Sequence, residues 1–272
     1  MSQDIDASFI RQYESDVHMA YQRMGSQLGN TTRKKTNVKG ESTTFQTVGT
    51  GTAGKKARNG DVPVMNINHN PVLCSLEDYY AADYIDKLDE LKENHDERQV
   101  VAQSGASALG RVNDDMIVKV ADTFTNTTTA AGALTLTKCK EAFAYFGNQS
   151  IPDDGNRYAP VSPEAWNDLL DITAFADADY VGTDDLPYRG GMTARRWLSF
   201  MWFGFSGLTK NGNVRNNLAY HMTAIGCASG QEVQTEMNYI PTKSAHLVTS
   251  SMSMGACKID DKGGYILKST ES

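Results

Sequence analysis

No stretch of about 18 apolar residues occurs in this 272-residue chain, so nothing in it reads as a membrane-spanning helix. Its first residues, Met-Ser-Gln-Asp-Ile-Asp, are acidic and lack an apolar core, so they do not read as a secretory signal. Cysteine is scarce and widely spaced: Cys74, Cys139, Cys227 and Cys257. In a chain made without export these fit four free thiols better than a disulfide framework or a zinc site. The triplets at Asn30, Asn126 and Asn148 satisfy the glycosylation pattern, which means nothing without export. Catalytic signatures are lacking as well. Gly204-Phe205-Ser206-Gly207 misses the spacing of a nucleophile elbow, and there is no phosphate loop, dinucleotide fingerprint or His-Glu-x-x-His. His18, His69, His95, His221 and His246 fall in five different elements, where surface or satisfied histidines are expected. Asp177-Ala178-Asp179-Tyr180-Val181-Gly182 opens like a calcium loop, but Val181 takes a ligand position and no glutamate follows at the twelfth. The pairs Asp153-Asp154 and Asp184-Asp185 sit in turns, where aspartate is favoured for local hydrogen bonds. No enzyme, cofactor or metal is expected.

What the chain does have is a long segment with almost nothing to bury. Residues 31–62 hold only Val38, Phe45, Val48 and Val62 as large apolar side chains. Between Arg33 and Arg58 lie seven basic residues and one acid, Glu41; of the chain's 26 basic and 33 acidic residues, 19 and 32 remain for the rest. The segment is thus about +6 and the body about −13. A segment with no core of its own, opposite in charge to the body, is expected to lie on another copy of the body. Its contact candidates are Arg33, Lys34, Lys35, Lys55, Lys56 and Arg58, with Phe45 the one aromatic. Nucleic-acid sites usually interleave basic residues with stacking aromatics, which this segment does not do. The net charge of −7 also argues against the body as a nucleic-acid binder.

Residues 8–28 predict an amphipathic helix: Phe9, Tyr13, Val17, Ala20/Tyr21, Met24 and Leu28 recur at helical spacing, and Gly29-Asn30 stops it. It is either a core helix or an arm docked on a neighbour. The basic segment that separates it from the body favours the arm, which adds Phe9, Tyr13 and Val17 to the contact candidates. Thr-rich alternation over 38–48 predicts a long hairpin, with glycines 49, 51 and 54 at the tip and a return arm over 64–67 and 72–84. Ten paired residues would span roughly 33 Å; plain disorder is the alternative. A charged stretch, 83–98, leads into a proline-free helix over about 95–124 with a stripe through Val100, Ser104, Ala108, Val112, Met116, Val120 and Phe124. At 1.5 Å per residue it spans about 45 Å, although Gly105 and Gly110 weaken it. After a Thr/Ala/Gly linker at 125–133 the pattern is compact α/β. Thr135 caps a helix with Leu136, Cys139, Phe143 and Phe146 inward; a strand covers 158–161; Ser162-Pro163-Glu164 starts a helix burying Trp166, Leu169 and Leu170. Residues 197–205 read as one covered strand, and Asn211-Gly212 as a tight turn. The C-terminal quarter predicts strands over 233–240, 245–254 and 257–267, with a turn at 260–264.

This order of parts resembles the major capsid protein of tailed bacteriophages, whose fold is shared with encapsulins and the herpesvirus capsid floor. Local stretches resemble it too: Phe45-Gln46-x-Val48-Gly49, Ala57-Arg58-x-Gly60-Asp61-Val62-Pro63, Leu76-Glu77-Asp78-Tyr79, Val161-x-Pro163-x-x-Trp166, Asp179-Tyr180-Val181-Gly182 and Ser253-Met254-Gly255-Ala256. The resemblance implies an α+β fold: an N-terminal arm (1–30), an extended β-hairpin loop (31–75), a peripheral domain with the spine helix (76–133 and 233–272) and an axial domain (134–232). It further implies self-assembly, as hexamers and pentamers, into the icosahedral shell that encloses the phage genome. The implied partners are other copies of the chain, separate scaffolding and portal proteins, and decoration proteins as a further option. Double-stranded DNA would be contacted non-specifically at most, and a membrane not at all. The implied location is the virion, assembled in the host cytoplasm. Some relatives carry a cleaved N-terminal scaffolding segment; loop and spine begin too early here for that. Covalent chain-linking, known in part of the fold, is assigned to no Lys–Asn pair. The competing readings are an encapsulin-like compartment and a cytosolic hydrolase with an unrecognised site.

Overall fold

The computed structural model describes residues 23–90, 97–128, 132–176 and 193–271. Its contacts divide the chain into two units. The larger comprises 27–77, 113–231 and 254–272; the smaller comprises 78–112 and 232–253 together with the chain before residue 27.

The larger unit is organised by a six-stranded mixed sheet. Its strands are β5 (Arg157–Val161), β6 (Arg195–Trp197), β7 (Phe200–Gly204), β8 (Lys210–Asn211), β9 (Val214–His221) and β12 (Gly264–Thr270). The order is β12-β9-β5-β7-β6, with β8 alongside β9, and only β5–β7 is parallel. Three helices belong to it: α3 (Leu136–Asn148), α4 (Pro163–Leu170) and α5 (Thr173–Ala176). The α4 start follows its sequence signal. The Ser162 side chain accepts the Ala165 amide at 3.1 Å, and Pro163 supplies a fixed φ where no amide partner is needed. Trp166, Phe175, Phe200, Trp202 and Phe146 then interlock in edge-on pairs at the centre of the first core.

Several expectations are corrected here. Residues 197–205 are not one strand but the β6–β7 hairpin, turned by Leu198 and Ser199 at φ 47° and 64°. Such turns normally advertise themselves with Asn-Gly, so Leu-Ser hides it. Phe143 is 42% exposed; Lys138, Cys139, Ala142 and Phe146 form the buried stripe of α3 instead. The Thr135 side chain makes no cap hydrogen bond. Lys138 is buried because its ammonium donates to the carbonyls of Gly132 (2.9 Å) and Lys268 (2.8 Å). Finally, β12, expected with the strands from 233 onward, pairs along its whole length with β9.

A second core of the larger unit gathers Leu28, Ile117, Phe124, Phe205, Leu218, Tyr220 and Ile266. Leu28 is fully buried there, and the Asp114 carboxylate accepts the amides of Leu28 (2.9 Å) and Gln27 (3.1 Å). Residues 23–28 are not helical, which corrects the expectation of a helix reaching residue 28. Residues 1–22 lie outside the described residues.

The smaller unit takes its strands from β4 (Glu77–Asp86), β10 (Ile225–Ile240) and β11 (Ala245–Lys258). These belong to a four-stranded sheet of order β1-β10-β11-β4, in which β1 (Arg33–Lys35) runs parallel to β10. A one-turn helix, α1 (Lys87–Glu90), follows β4. The long expected helix is α2 (Glu97–Ala121), unbroken by its glycines. A Cβ on Gly105 would stand 2.9 Å from Ser250 Oγ, and one on Gly110 would collide with the Gly25 backbone. Both glycines are contact points rather than helix breakers.

The buried Leu28 yields a test. Leu28→Ala is expected to cost about 2–5 kcal/mol, as deletions of core leucines do. A loss below about 1 kcal/mol in denaturant titration would place the segment outside the core.

Candidate functional site

The basic segment splits into a seated base and an exposed loop. Strands β2 (Ser42–Val48) and β3 (His69–Ser75) pair antiparallel from Ser42↔Ser75 to Val48↔His69. Directly opposed residues share a face. Thr43, Phe45, Val72 and Cys74 therefore point one way, while Ser42, Thr44, Gln46 and Val48 point to solvent. The inward face meets β10 and β11: Phe45 and Cys74 form a buried cluster with Ala228, Cys257 and Ile259. A Cβ on Gly226 would stand 2.8 Å from the Phe45 ring, so this glycine makes room for the phenylalanine.

Above the Val48–His69 pair the ladder adds one bond, from the Gly49 amide to the Asn68 carbonyl (2.8 Å), and then stops. The hairpin is shorter than expected, and residues 49–68 have no strand. All of them are exposed except Gly60 and Ile67, which are half-buried. Val62 (71%), Val64 (83%) and Met65 (50%) are large apolar side chains left in water. Among the described residues no hydrogen bond or ion pair engages Lys55, Lys56 or Arg58. Chemically the loop is an exposed cationic strip with apolar side chains at one end. It has no group poised for catalysis and suits contact with an acidic protein surface.

The other contact candidates fare differently. Arg33, Lys34 and Lys35 are exposed but structured: β1 pairs with Gly226–Ala228. Lys34 donates to Asn30 Oδ1 (2.7 Å), Lys35 reaches the Thr44 carbonyl (3.4 Å), and the Arg33 guanidinium lies 5.7 Å from the Phe45 ring centre. Phe45 is 3% exposed within its own chain, which corrects its place among the contact candidates. Strand alternation alone leaves open which face of the hairpin is covered, and by what. Phe9, Tyr13 and Val17 lie outside the described residues, as do 177–192 with their calcium-like stretch and Asp184-Asp185.

Two polar clusters remain, one around the Asp153-Asp154 turn read in the sequence and one around Glu271, which the sequence did not single out. Asp154 accepts from the Asn156 side chain and amide and pairs with buried His221 at 3.1 Å. These bonds, led by the Asn156 side chain, hold its carboxyl below the usual carboxylate range. Asp153, its neighbour, takes the Ser199 hydroxyl at 2.6 Å. The pair thus closes a turn. Glu271, 3% exposed, accepts the Ser162 hydroxyl and the Arg215 Nε–H (2.8 Å), tying the chain end to the start of α4. Nothing in the local sequence of either cluster marks partners so distant.

This mixed fold, with its seated hairpin, exposed cationic loop and long helix, is shared by solved structures. The capsid of cyanophage P-SCSP1u superposes with a TM-score of 0.77 at 15% identity, over 98% of this chain and 94% of that one. The capsid of a native GTA particle gives 0.77 at 12%, over 98% and 97%. A structure of Mycobacterium phage Che8 gives 0.74 at 14%, over 95% and 97%. At these identities the likeness is one of fold. No curated protein matches the sequence. The phage capsid protein family model, however, matches residues 5–271, and the chain belongs to that family. It is a major capsid protein, a structural subunit of the phage head.

The split between base and loop separates two kinds of substitution. Phe45→Ala should destabilise the isolated subunit by about 3–5 kcal/mol. Reversing Lys55, Lys56 and Arg58 together to glutamate should leave its melting temperature nearly unchanged, since surface changes stay within about 0.5 kcal/mol each. Comparable losses from both would mean that the loop packs on its own subunit.

Proposed function

We propose that copies of this chain assemble through hexamers and pentamers into a closed icosahedral shell around double-stranded DNA. The exposed 49–68 loop of each copy lies across a neighbour. One observation carries this reading: a cationic segment with exposed valines and an exposed methionine, held out from a seated base, on a chain whose remainder is strongly acidic. Acidic bodies repel one another at contact, and a loop with Lys55, Lys56 and Arg58 against Asp61 alone, laid between them, offsets part of that repulsion. The same acidity sets the body against DNA, so contact with the genome is non-specific. Assembly takes place in the host cytoplasm, with scaffolding and portal functions on separate chains, and the product is the virion head.

Sedimentation of the expressed chain near physiological salt, with electron microscopy of the fast fraction, tests this. Closed particles or capsomers are expected. A monodisperse monomer of about 30 kDa, persisting with the phage's scaffolding protein present, would contradict it. Single exposed ion pairs are worth only about 0–1 kcal/mol, so one loop substitution should be tolerated. The triple reversal at Lys55, Lys56 and Arg58 should block particle formation; wild-type assembly by that variant would remove the loop's charge from the mechanism.

A further inference from the structure

Two cysteines meet where the hairpin is seated. Cys74 on β3 is 1% exposed and Cys257 on β11 is 9% exposed, both inside the cluster around Phe45. Both thiols sit in that one small cluster with Ala228 and Ile259, close enough that each shifts the other's ionisation. Each sulfur also accepts a backbone N–H from β10, Ala228 for Cys74 and Gly226 for Cys257. Gly226 and Ala228 are two residues apart on β10, so one short stretch of that strand lies beside both sulfurs. The strands that carry them touch: a Cβ on Gly255 of β11 would overlap the carbonyl oxygen of Ser75 at the end of β3. Close approach of this kind is what a disulfide demands, with Cα atoms about 4.4–6.8 Å apart. The other cysteines are placed differently. Cys227 directs its sulfur to Asn113 Oδ1 at 3.6 Å, and Cys139 is buried in the aromatic core.

We propose that Cys74 and Cys257 form an oxidisable pair, and that their disulfide staples the base of the exposed loop to the sheet beneath it. The Cys257 thiol lowers the Cys74 pKa, whereas Cys257 is held up by Cys74 and by burial. Cys74 is therefore the first nucleophile. Its thiolate attacks one sulfur of a small disulfide such as oxidised glutathione and expels one glutathione thiolate. Cys257 then gives up its proton, attacks the Cys74 sulfur of the mixed disulfide and expels the second. Two protein thiols are oxidised, one small disulfide is reduced, and both protons end on the released glutathiones. A cavity of about 670 Å³ borders the cluster through Val72 and Ile259, and the oxidant reaches the sulfurs when the hairpin base opens transiently. In a reducing cytoplasm the pair stays open; it closes once a particle leaves the cell. That timing rests on the proposed assembly reading, whereas the disulfide itself does not.

The test uses the soluble subunit and, in parallel, assembled particles. Each is incubated with oxidised glutathione, alkylated, digested without reductant and mapped by mass spectrometry. The expected result is a Cys74–Cys257 linked peptide within one chain, with two of the four thiols lost on titration in denaturant. The melting temperature should rise on the order of 5–10 °C and fall back with reductant. Cys74→Ser and Cys257→Ser should each abolish the linked peptide, and Cys139→Ser should keep it. Four thiols persisting after oxidation of the wild-type chain, linkage through Cys227, or linkage between chains would each overturn the proposal. The soluble subunit gives an answer whether or not particles form.

Discussion

The exposed 49–68 loop depends on one buried contact, the seating of Phe45 against Gly226. The loop at 49–68 has no core, so it can be offered to a partner only if its two ends are fixed. They are fixed by the β2–β3 ladder, which is fixed in turn by Phe45, Cys74 and Val72 against β10 and β11. Burying a side chain of that size is worth about 1.5–3 kcal/mol, more than any single exposed charge in the loop contributes. The glycine at 226 is part of the same device, because any side chain there would occupy the space of the ring.

On the proposed reading, the subunit separates stability from association. Apolar burial sits in the two cores and at the hairpin base, where it acts within one chain. Net positive charge sits in the loop, from Lys55, Lys56 and Arg58 against Asp61, and the opposite sign dominates the body. Weak exposed pairs are suited to a shell, because many identical contacts add up while each remains reversible during assembly. Strong contacts would trap misplaced subunits. Residues 27–32 extend the same division to the N-terminal side: Leu28 and the Asp114 carboxylate anchor the chain in the larger unit before the basic strand begins.

The features legible in the sequence are those with local causes. The α4 start was visible because Ser162-Pro163 is a self-contained cap. The α2 helix was visible because its apolar stripe runs without proline, and it ends at Ala121 rather than near 124. The two faces of β2 were visible in the alternation of Thr43 and Phe45 with their neighbours. What stayed hidden has causes far along the chain. Phe45 looked free because Gly226 and Ile259, which cover it, lie far downstream. The β6–β7 hairpin was hidden because Leu198 and Ser199 adopt positive φ without the residues that usually announce it. The β12 placement was hidden because strand alternation does not name a partner, and β9 is the partner. The family was legible from the order of parts; the intrachain seating of the loop was not.

The central claim is that the 49–68 loop serves a neighbour rather than its own subunit. Zero-length carbodiimide cross-linking of particles built from an equal mixture of nitrogen-14 and nitrogen-15 subunits tests it directly. Cross-links from Lys55 and Lys56 to carboxylates should appear as mixed-isotope pairs in particles and vanish in free subunits. Cross-links from these lysines that join only peptides of one isotope, in particles and free subunits alike, would contradict the account.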